Sequence, residues 1–204
     1  MRAGPSSTNG TGRRAASPVA VLWVVLSGLF TVSFTITVLS NSLDRIAGDL
    51  GSTRSVVLWT MTGPMLAFGV VGPAFGKAGD LWGHRRVFVF GLAGASVFAF
   101  LTAIAWSAPT MIGFRIVSAT LGSATGPSAM AYINRMYAPS ERVRPLGYWS
   151  FVSAGAPVIG VVVGAPLVAH FGWRLIFFGQ APLCAIGAVI AARLLPDTTR
   201  QPEV

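Results

Sequence analysis

Six apolar stretches, each long enough to cross a lipid bilayer as a helix, occupy most of this 204-residue sequence. About 20 apolar residues are needed to span a hydrocarbon core roughly 30 Å thick. The stretches lie at 19–41, 56–75, 87–106, 110–133, 146–168 and 175–192. Their short connections leave no room for a further folded domain outside the membrane. The sequence therefore predicts an all-α, integral membrane six-helix bundle over residues 19–192.

The segments on either side of the bundle have a different composition. Residues 1–18 are rich in Ser, Thr, Gly and Ala and carry three Arg but no acid, which predicts a disordered tail. Residues 193–204 are polar and are expected to form a second tail or a truncated linker. Only 10% of all residues are charged, against about 25% in soluble domains, so a water-soluble fold is excluded.

The formal net charge of +9 comes mainly from basic residues in the tails and connections. No basic run is interleaved with aromatic residues, which argues against a nucleic-acid partner. One set of alternate connections holds 11 Lys and Arg residues, and the other holds only Arg45, Arg54 and Arg174. Because positive residues remain on the cytoplasmic side, both termini are predicted to be cytoplasmic in a multi-pass protein of the inner cell membrane.

A short pattern, aromatic-Gly-x-Arg, occurs twice in the chain. It follows the second stretch as Trp82-Gly83-His84-Arg85 and the fifth as Phe171-Gly172-Trp173-Arg174. The odd number of spans between the copies places them on opposite membrane faces, as an inverted repeat of three plus three helices requires. The alternative is a pair of independent interfacial anchors.

The most specific segment is Gly76-Lys77-Ala78-Gly79-Asp80-Leu81-Trp82-Gly83-His84-Arg85-Arg86, between the second and third stretches. Its glycines permit a tight turn and close helix approach, and Asp80 can cap a helix or pair with a nearby cation. The segment resembles the signature loop of the major facilitator superfamily, which it matches at Gly76, Asp80, Gly83 and Arg85. The resemblance implies that this loop, with Arg86, acts as a conformational latch against a second half of a transporter.

The chain also resembles the fourteen-helix drug:proton antiporter branch of that family over about residues 35–185. Arg115, Pro127 and the run from Pro139 to Gly147 are similar to that branch's fourth helix and following loop. Two departures stand out: Thr35 occupies the position of an Asp in the first helix, and the fifth-helix signature survives only as Gly160 and Gly164.

Arg115 is the one charged residue inside the six stretches. Since proton coupling in a membrane usually requires an Asp, Glu or His within it, proton antiport is in doubt. Arg115 lies about 7 to 8 Å from one end of its helix, where an unpaired guanidinium is costly. We expect it to face a substrate cavity with Thr35, paired with a polar solute group, backbone carbonyls, a missing half or Asp44. The alternative is that its side chain extends to the headgroups.

Small residues recur every four positions on the fourth and fifth stretches. This spacing predicts close helix packing at Gly122, Gly126, Gly160 and Gly164, with a possible hinge at Gly126-Pro127. Trp59 and Gln180 are expected to be interface anchors.

The sequence has no catalytic dyad, metal cluster or nucleotide loop, so neither an enzyme nor a cofactor or metal site is expected. The resemblance implies efflux of small amphipathic or drug-like solutes, with lipid around the protein and a second six-helix half as partner, either another copy or a separate chain. The alternative function is a truncated or non-transporting membrane interaction protein.

Overall fold

The computed structural model describes residues 17–196, and these fold into α-helices without a β-strand. The helices are α1 (Pro18–Thr37), α2 (Leu43–Asp49), α3 (Arg54–Val57), α4 (Trp59–Trp82), α5 (His84–Ala103), α6 (Ala108–Gly122), α7 (Thr125–Met136), α8 (Val143–Phe171) and α9 (Trp173–Leu194), with a 3₁₀ turn at Pro139–Glu141. The predicted tails at 1–18 and 193–204 fall outside the described residues, except for 17–18 and 193–196. Ser17 caps α1 by accepting a hydrogen bond from the backbone N–H of Ala20 at 3.2 Å.

Five segments of the described chain are long and apolar enough to cross a membrane. The predicted fourth span, 110–133, is the exception, because it forms α6 and α7 with a break at Ser123 and Ala124. Pro127 explains the position of the break: it has no N–H for the Ser123 carbonyl, and its ring crowds that carbonyl. Ser123 and Ala124 keep right-handed helical dihedrals, so α7 continues from α6 without a reversal of the chain. The break therefore precedes the expected hinge at Gly126-Pro127.

The connection between α4 and α5 is much shorter than predicted. The second span was expected to end at residue 75, whereas α4 continues to Trp82 and only Gly83 separates it from α5. Gly83 has a positive φ of 92°, and its N–H donates to the Gly79 carbonyl at 2.9 Å. A single glycine can reverse the chain here because it adopts a backbone conformation that side chains disfavour. The signature segment from Gly76 to Trp82 is consequently helical.

The two copies of the aromatic-Gly-x-Arg pattern have the same local structure. Gly172 joins α8 to α9 with a φ of 78°, just as Gly83 joins α4 to α5. Arg85 at the start of α5 donates to the carbonyl of Ala192, near the end of α9. Arg174 at the start of α9 donates to the carbonyl of Ala105, just past the end of α5, at 3.1 Å.

The packing of the helices shows the same correspondence between the first three and the last three membrane segments. α5 and α9 pack most extensively on each other, α1 packs on α8 and α9, and α6 packs on α4 and α5. In the repeat, α1 corresponds to α6–α7, α4 to α8 and α5 to α9. The contact of α1 with α8 thus corresponds to that of α6 with α4, and the contact of α1 with α9 corresponds to that of α6 with α5. The bundle is an inverted repeat of three plus three helices.

The bundle has two ends, named here for their glycine turns. The Gly83 end holds the start of α1 and the ends of α7 and α9, where the Tyr132 hydroxyl donates to the Pro196 carbonyl at 3.0 Å. The Gly172 end holds α2, α3 and the end of α8. There Arg45 donates to the Val168 carbonyl at 2.9 Å and offsets the negative end of the α8 dipole.

Candidate functional site

Arg115 lies inside the bundle on α6, and only 5% of its surface is exposed. Its Nε donates to the Thr60 carbonyl of α4 at 2.5 Å. One terminal nitrogen donates to the Thr35 carbonyl of α1 at 2.9 Å and to the adjacent Ile36 carbonyl at 3.4 Å. The guanidinium therefore joins α6 to both α1 and α4.

These carbonyls are available because each has lost its helical partner. The Thr60 carbonyl would normally accept from residue 64, but Pro64 has no N–H. Thr35 and Ile36 are among the last residues of α1, which ends at Thr37, and terminal carbonyls have no partner within their own helix. The C-terminal end of α1 also carries partial negative charge, which favours a cation. Arg115 thus donates hydrogen bonds to unpaired carbonyls in both neighbouring helices, at Thr60 in α4 and at the end of α1.

The remaining face of the Arg115 guanidinium lies 5.0 Å from the ring centroid of Phe177 on α9, within cation–π range. No carboxylate of residues 17–196 lies within ion-pairing distance of Arg115. Asp44, one of the expected partners, instead pairs with Arg54 at 2.9 Å on an exposed surface. Of the expected partners, the structure places backbone carbonyls at Arg115.

A small cavity of about 20 Å³ adjoins Arg115. Such a volume holds about one water molecule, so it is too small for an organic solute. The hydroxyl of Thr60, whose carbonyl binds Arg115, is fully buried without a hydrogen-bond partner among the described residues. In this conformation Arg115 is closed off from any solute.

Thr35 contributes to this site through its side chain as well as its carbonyl. The Thr35 hydroxyl donates back to α1, to the carbonyl of Thr31 at 3.1 Å or Val32 at 3.0 Å. Its oxygen accepts a hydrogen bond from Nε2 of Gln180 on α9 at 2.7 Å. Gln180 is 6% exposed, so the expectation that it anchors the interface is wrong. Position alone suggested an anchor, because the sequence does not reveal which face of α9 turns inward.

The residues of the expected latch lie at the Gly83 end. The Asp80 carboxylate is 3.1 Å from Nε2 of His84, one helical turn later, and its side chain is 71% exposed. His84 is buried, Arg86 is exposed and Arg85 reaches α9. Asp80 and Arg85, which the resemblance brings into one latch, therefore contact different groups in this structure.

The small residues on α6 and α8 lie against α1. A Cβ placed on Gly160 or Gly164 would collide with the Phe34 or Val38 carbonyl, respectively. A Cβ on Gly122 would lie 2.6 Å from Cγ1 of Val32. These three positions need glycine for close approach.

Gly126 differs from the other predicted packing glycines, because a Cβ there would have no neighbour within 4 Å. The next residue makes the contact instead: Pro127 Cβ lies 3.4 Å from the position of a Cβ on Gly76. The bend before α7 brings Pro127, rather than Gly126, towards α4.

Sequence reasoning missed Thr60 and Phe177 as neighbours of Arg115. Thr60 carries a usable signal, since a residue four positions before a helix-interior proline has an unpaired carbonyl. Sequence reasoning also missed the small residues of α5, where a Cβ on Gly91 would lie 2.6 Å from the Leu121 carbonyl. Gly91, Ala95, Ala99 and Ala103 repeat every four residues, which is the pattern recognised on α6 and α8.

Comparison with known proteins gives a consistent family match. The family model described as Major Facilitator Superfamily matches residues 25–204. The tetracenomycin C resistance and export protein of Streptomyces glaucescens is 29% identical over 194 residues, which cover 95% of this chain and 36% of that protein. The puromycin resistance protein pur8 of Streptomyces alboniger is 31% identical over 180 residues, covering 88% and 36% respectively. This chain thus spans about a third of the length of the curated relatives it matches.

Two solved structures share the fold at low sequence identity. The proton:xylose symporter XylE superposes with a TM-score of 0.70 at 13% identity, over 89% of this chain and 45% of that one. The human organic anion transporter MFSD10 superposes with a TM-score of 0.66 at 18% identity, over 89% and 48%. In each case the bundle corresponds to about half of the larger protein.

Proposed function

This chain belongs to the major facilitator superfamily, and from that premise we propose that it exports small amphipathic solutes from the cell as one six-helix half of a transporter. The second half is either another copy of this chain or a separate chain. A solute would bind between the two halves and cross as they rock against each other. The protein would move the solute without changing it chemically. The relatives named for tetracenomycin C export and puromycin resistance support efflux as the direction.

The single observation that carries this proposal is the buried, carbonyl-bound Arg115. A guanidinium without a carboxylate partner inside a membrane bundle marks a functional site by default. Its hydrogen bonds join α1, α4 and α6, so any movement between these helices must break or exchange them. We propose that an anionic or polar group, from the solute or from the second half, competes with the Thr35 and Thr60 carbonyls for Arg115 when the bundle opens.

Asp80 and Arg86 are proposed as latch residues at the Gly83 end, together with Arg85 and the glycines Gly76 and Gly83. The Asp80 carboxylate contacts the buried His84, yet 71% of the Asp80 side chain is exposed, so the carboxylate is accessible on the outside of α4. The neighbouring Leu81 and Trp82 are 66% and 65% exposed, so an apolar surface surrounds the charge. A second half that covers this surface would bring a cation or a helix N-terminus to Asp80.

The distribution of basic residues supports a membrane orientation for this half. In the described chain the Gly83 end holds Lys77, Arg85, Arg86, Arg135, Arg142, Arg144 and Arg193, whereas the Gly172 end holds Arg45, Arg54 and Arg174. We propose that the Gly83 end faces the cytoplasm of an inner cell membrane, with both termini on that side.

Puromycin accumulation in an efflux-deficient bacterium tests the proposal. We expect cells expressing the chain with its second half to accumulate less puromycin than empty-vector cells. Arg115→Met, of similar apolar length but without charge, should remove this difference. Arg144→Ala changes an exposed arginine at the start of α8, outside the proposed latch, and serves as the control for expression and insertion. Export that survives Arg115→Met at equal protein level would remove Arg115 from the mechanism.

The mass of the purified protein in mild detergent separates the proposal from its alternative. A homodimer, or a co-purified chain with further membrane helices, supports a two-half transporter. A stable monomer without a partner, in cells that accumulate puromycin normally, would favour a non-transporting membrane interaction protein.

A further inference from the structure

A groove on the side of the bundle, between α1, α8 and α9, is large enough for a small molecule. Its volume is about 390 Å³, within the range of about 300 to 1,000 Å³ typical of ligand pockets. Its walls are apolar and include the rings of Phe30, Phe34 and Phe171, and no lining residue is charged. Three polar side chains, Thr31, Thr35 and Gln180, lie in its lining, and the Thr31 hydroxyl donates to the Ser27 carbonyl at 2.9 Å. We call it the α1–α8–α9 groove.

The orientation of the Gln180 amide is fixed by its neighbour. The Thr35 hydroxyl has one hydrogen, which it donates to α1, so its oxygen must accept from Gln180. The NH₂ of Gln180 therefore points to Thr35, and the carbonyl oxygen Oε1 is left over. Oε1 makes no hydrogen bond with any residue of the described chain, although Gln180 is more than nine-tenths buried. Oε1 is therefore an acceptor that no described residue uses.

We propose that the α1–α8–α9 groove binds an uncharged, largely apolar small molecule whose hydroxyl or N–H donates to Oε1 of Gln180. The proposal extends the proposed function and rests on it only in treating the ligand as a transported solute. The groove is separate from the closed cavity at Arg115, and the Thr35–Gln180 pair forms part of the lining of both.

The chemistry of the lining defines the ligand class. Phe30 and Phe34 are stacked with their ring centroids 5.9 Å apart, and such a surface suits flat aromatic rings. A charged ligand would find no counter-ion here and would lose its hydration, so the site selects neutral molecules. An amide oxygen that can accept a hydrogen bond favours a ligand with a donor over an isostere that lacks one.

A second groove on the same helix shows that volume alone is insufficient. It lies between α5 and α9, has a volume of about 340 Å³ and is also apolar. Its one hydroxyl, that of the half-buried Ser96, donates to the Ala181 carbonyl at 2.7 Å. The lining of the α5–α9 groove has no side-chain amide, and this groove serves as an internal control.

Photolabelling of the purified protein in phosphatidylcholine nanodiscs tests the proposal. The probe is 4-(hydroxymethyl)benzophenone, which is neutral and aromatic, carries one hydroxyl, and inserts into C–H bonds under ultraviolet light. Peptide mass spectrometry then locates the adducts. We expect saturable labelling of the α1–α8–α9 groove, about fivefold stronger than with 4-methylbenzophenone, because one hydrogen bond contributes on this scale. Labelling of the α5–α9 groove should be equal for both probes.

Two variants separate binding from general partition into the protein. Gly179 lines the groove, and a Cβ there would meet open space, so Gly179→Leu should fill the groove without disturbing the fold. We expect it to reduce labelling of the groove at least tenfold. Gly69→Leu on α4 is the matched control, since a Cβ at Gly69 also meets open space and Gly69 does not line the groove. Gln180→Met should equalise the two probes.

Equal labelling by both benzophenones in the wild-type protein, or labelling that Gly179→Leu leaves unchanged, would overturn the proposal and assign the groove to lipid acyl chains. The experiment requires neither transport nor a second half. If the groove is labelled as expected but cells expressing the chain accumulate as much puromycin as empty-vector cells, only the transport proposal is contradicted. If puromycin accumulation falls but the groove is not labelled as expected, only the groove proposal is contradicted.

Discussion

Arg115 supplies the hydrogen bond that Pro64 withholds, because its Nε donates to the α4 carbonyl one turn before that proline. A proline inside a membrane helix leaves a carbonyl in hydrocarbon without a partner, which is unfavourable. A buried guanidinium without acceptors is more unfavourable still, because it is charged. Each residue compensates for the other, and the hydrogen bond holds α6 against α4.

This compensation predicts a coupling between the two residues. Arg115→Met should destabilise the bundle by about 2 to 4 kcal/mol, because the Thr60 and Thr35 carbonyls lose their partner. Pro64→Ala returns an N–H to the Thr60 carbonyl. Its stabilising effect should therefore be about 1 kcal/mol larger in Arg115→Met than in the wild-type protein.

Cys184 provides the measurement, since it is the only cysteine of the sequence and is buried. Its reaction with a thiol-reactive dye on heating reports unfolding of the bundle. Arg86→Ala, an exposed arginine on α5, should leave the midpoint unchanged. Additive effects of Pro64→Ala and Arg115→Met would show that the two residues are independent.

The sequence identified Arg115 but not the groups that bind it. A lone charge in an apolar stretch is visible from composition, and hydropathy locates the helices because a bilayer requires a fixed length of apolar residues. The acceptors at Thr35 and Thr60 depend on which carbonyls α6 faces, and that is a property of the packed bundle. The proline at residue 64 is the only local signal, and it becomes informative once Arg115 is known to lie opposite.

The signature segment illustrates a different limit. Its residues resemble a loop, yet Gly76 to Trp82 continue α4, and only Gly83 turns the chain. Glycine weakens a helix in isolation, but close packing offsets that loss. The repeat, in contrast, was readable from four residues at each turn, because Gly83 and Gly172 share a backbone conformation that favours glycine.

The close contact of α8 with α1 predicts different effects at two glycines. Gly164→Ala should destabilise the protein by about 1 to 3 kcal/mol, because its Cβ would collide with the rigid Val38 backbone. Gly126→Ala should be neutral or slightly stabilising, since a Cβ there meets open space and alanine favours a helix. Thermal midpoints from Cys184 labelling compare the two. Equal losses at both positions would contradict the contact.

The two glycine turns predict that substitution of either glycine lowers the stability of the bundle by a similar amount. Gly83→Ala and Gly172→Ala should each cost about 1 to 3 kcal/mol, because both residues have positive φ in a region that side chains disfavour. Gly69→Ala, inside α4 with open space around its Cβ, should be neutral or stabilising. The same thiol assay measures all three. A loss at only one turn would mean that the two halves of the repeat are not equivalent.

The membrane orientation is testable with single cysteines at the two ends of the bundle. Ser140 lies in the exposed 3₁₀ turn before α8 at the Gly83 end, and Ser55 is exposed in α3 at the Gly172 end. Each is changed to cysteine in a Cys184→Ala background, so that one thiol is present. Because the Gly83 end carries most of the positive charge, we expect it to face the cytoplasm. A membrane-impermeant maleimide should then label Ser55→Cys in intact cells with a permeable outer envelope, and Ser140→Cys only after the inner membrane is opened. The opposite pattern would reverse the proposed topology, and with it the direction from which a solute reaches Arg115.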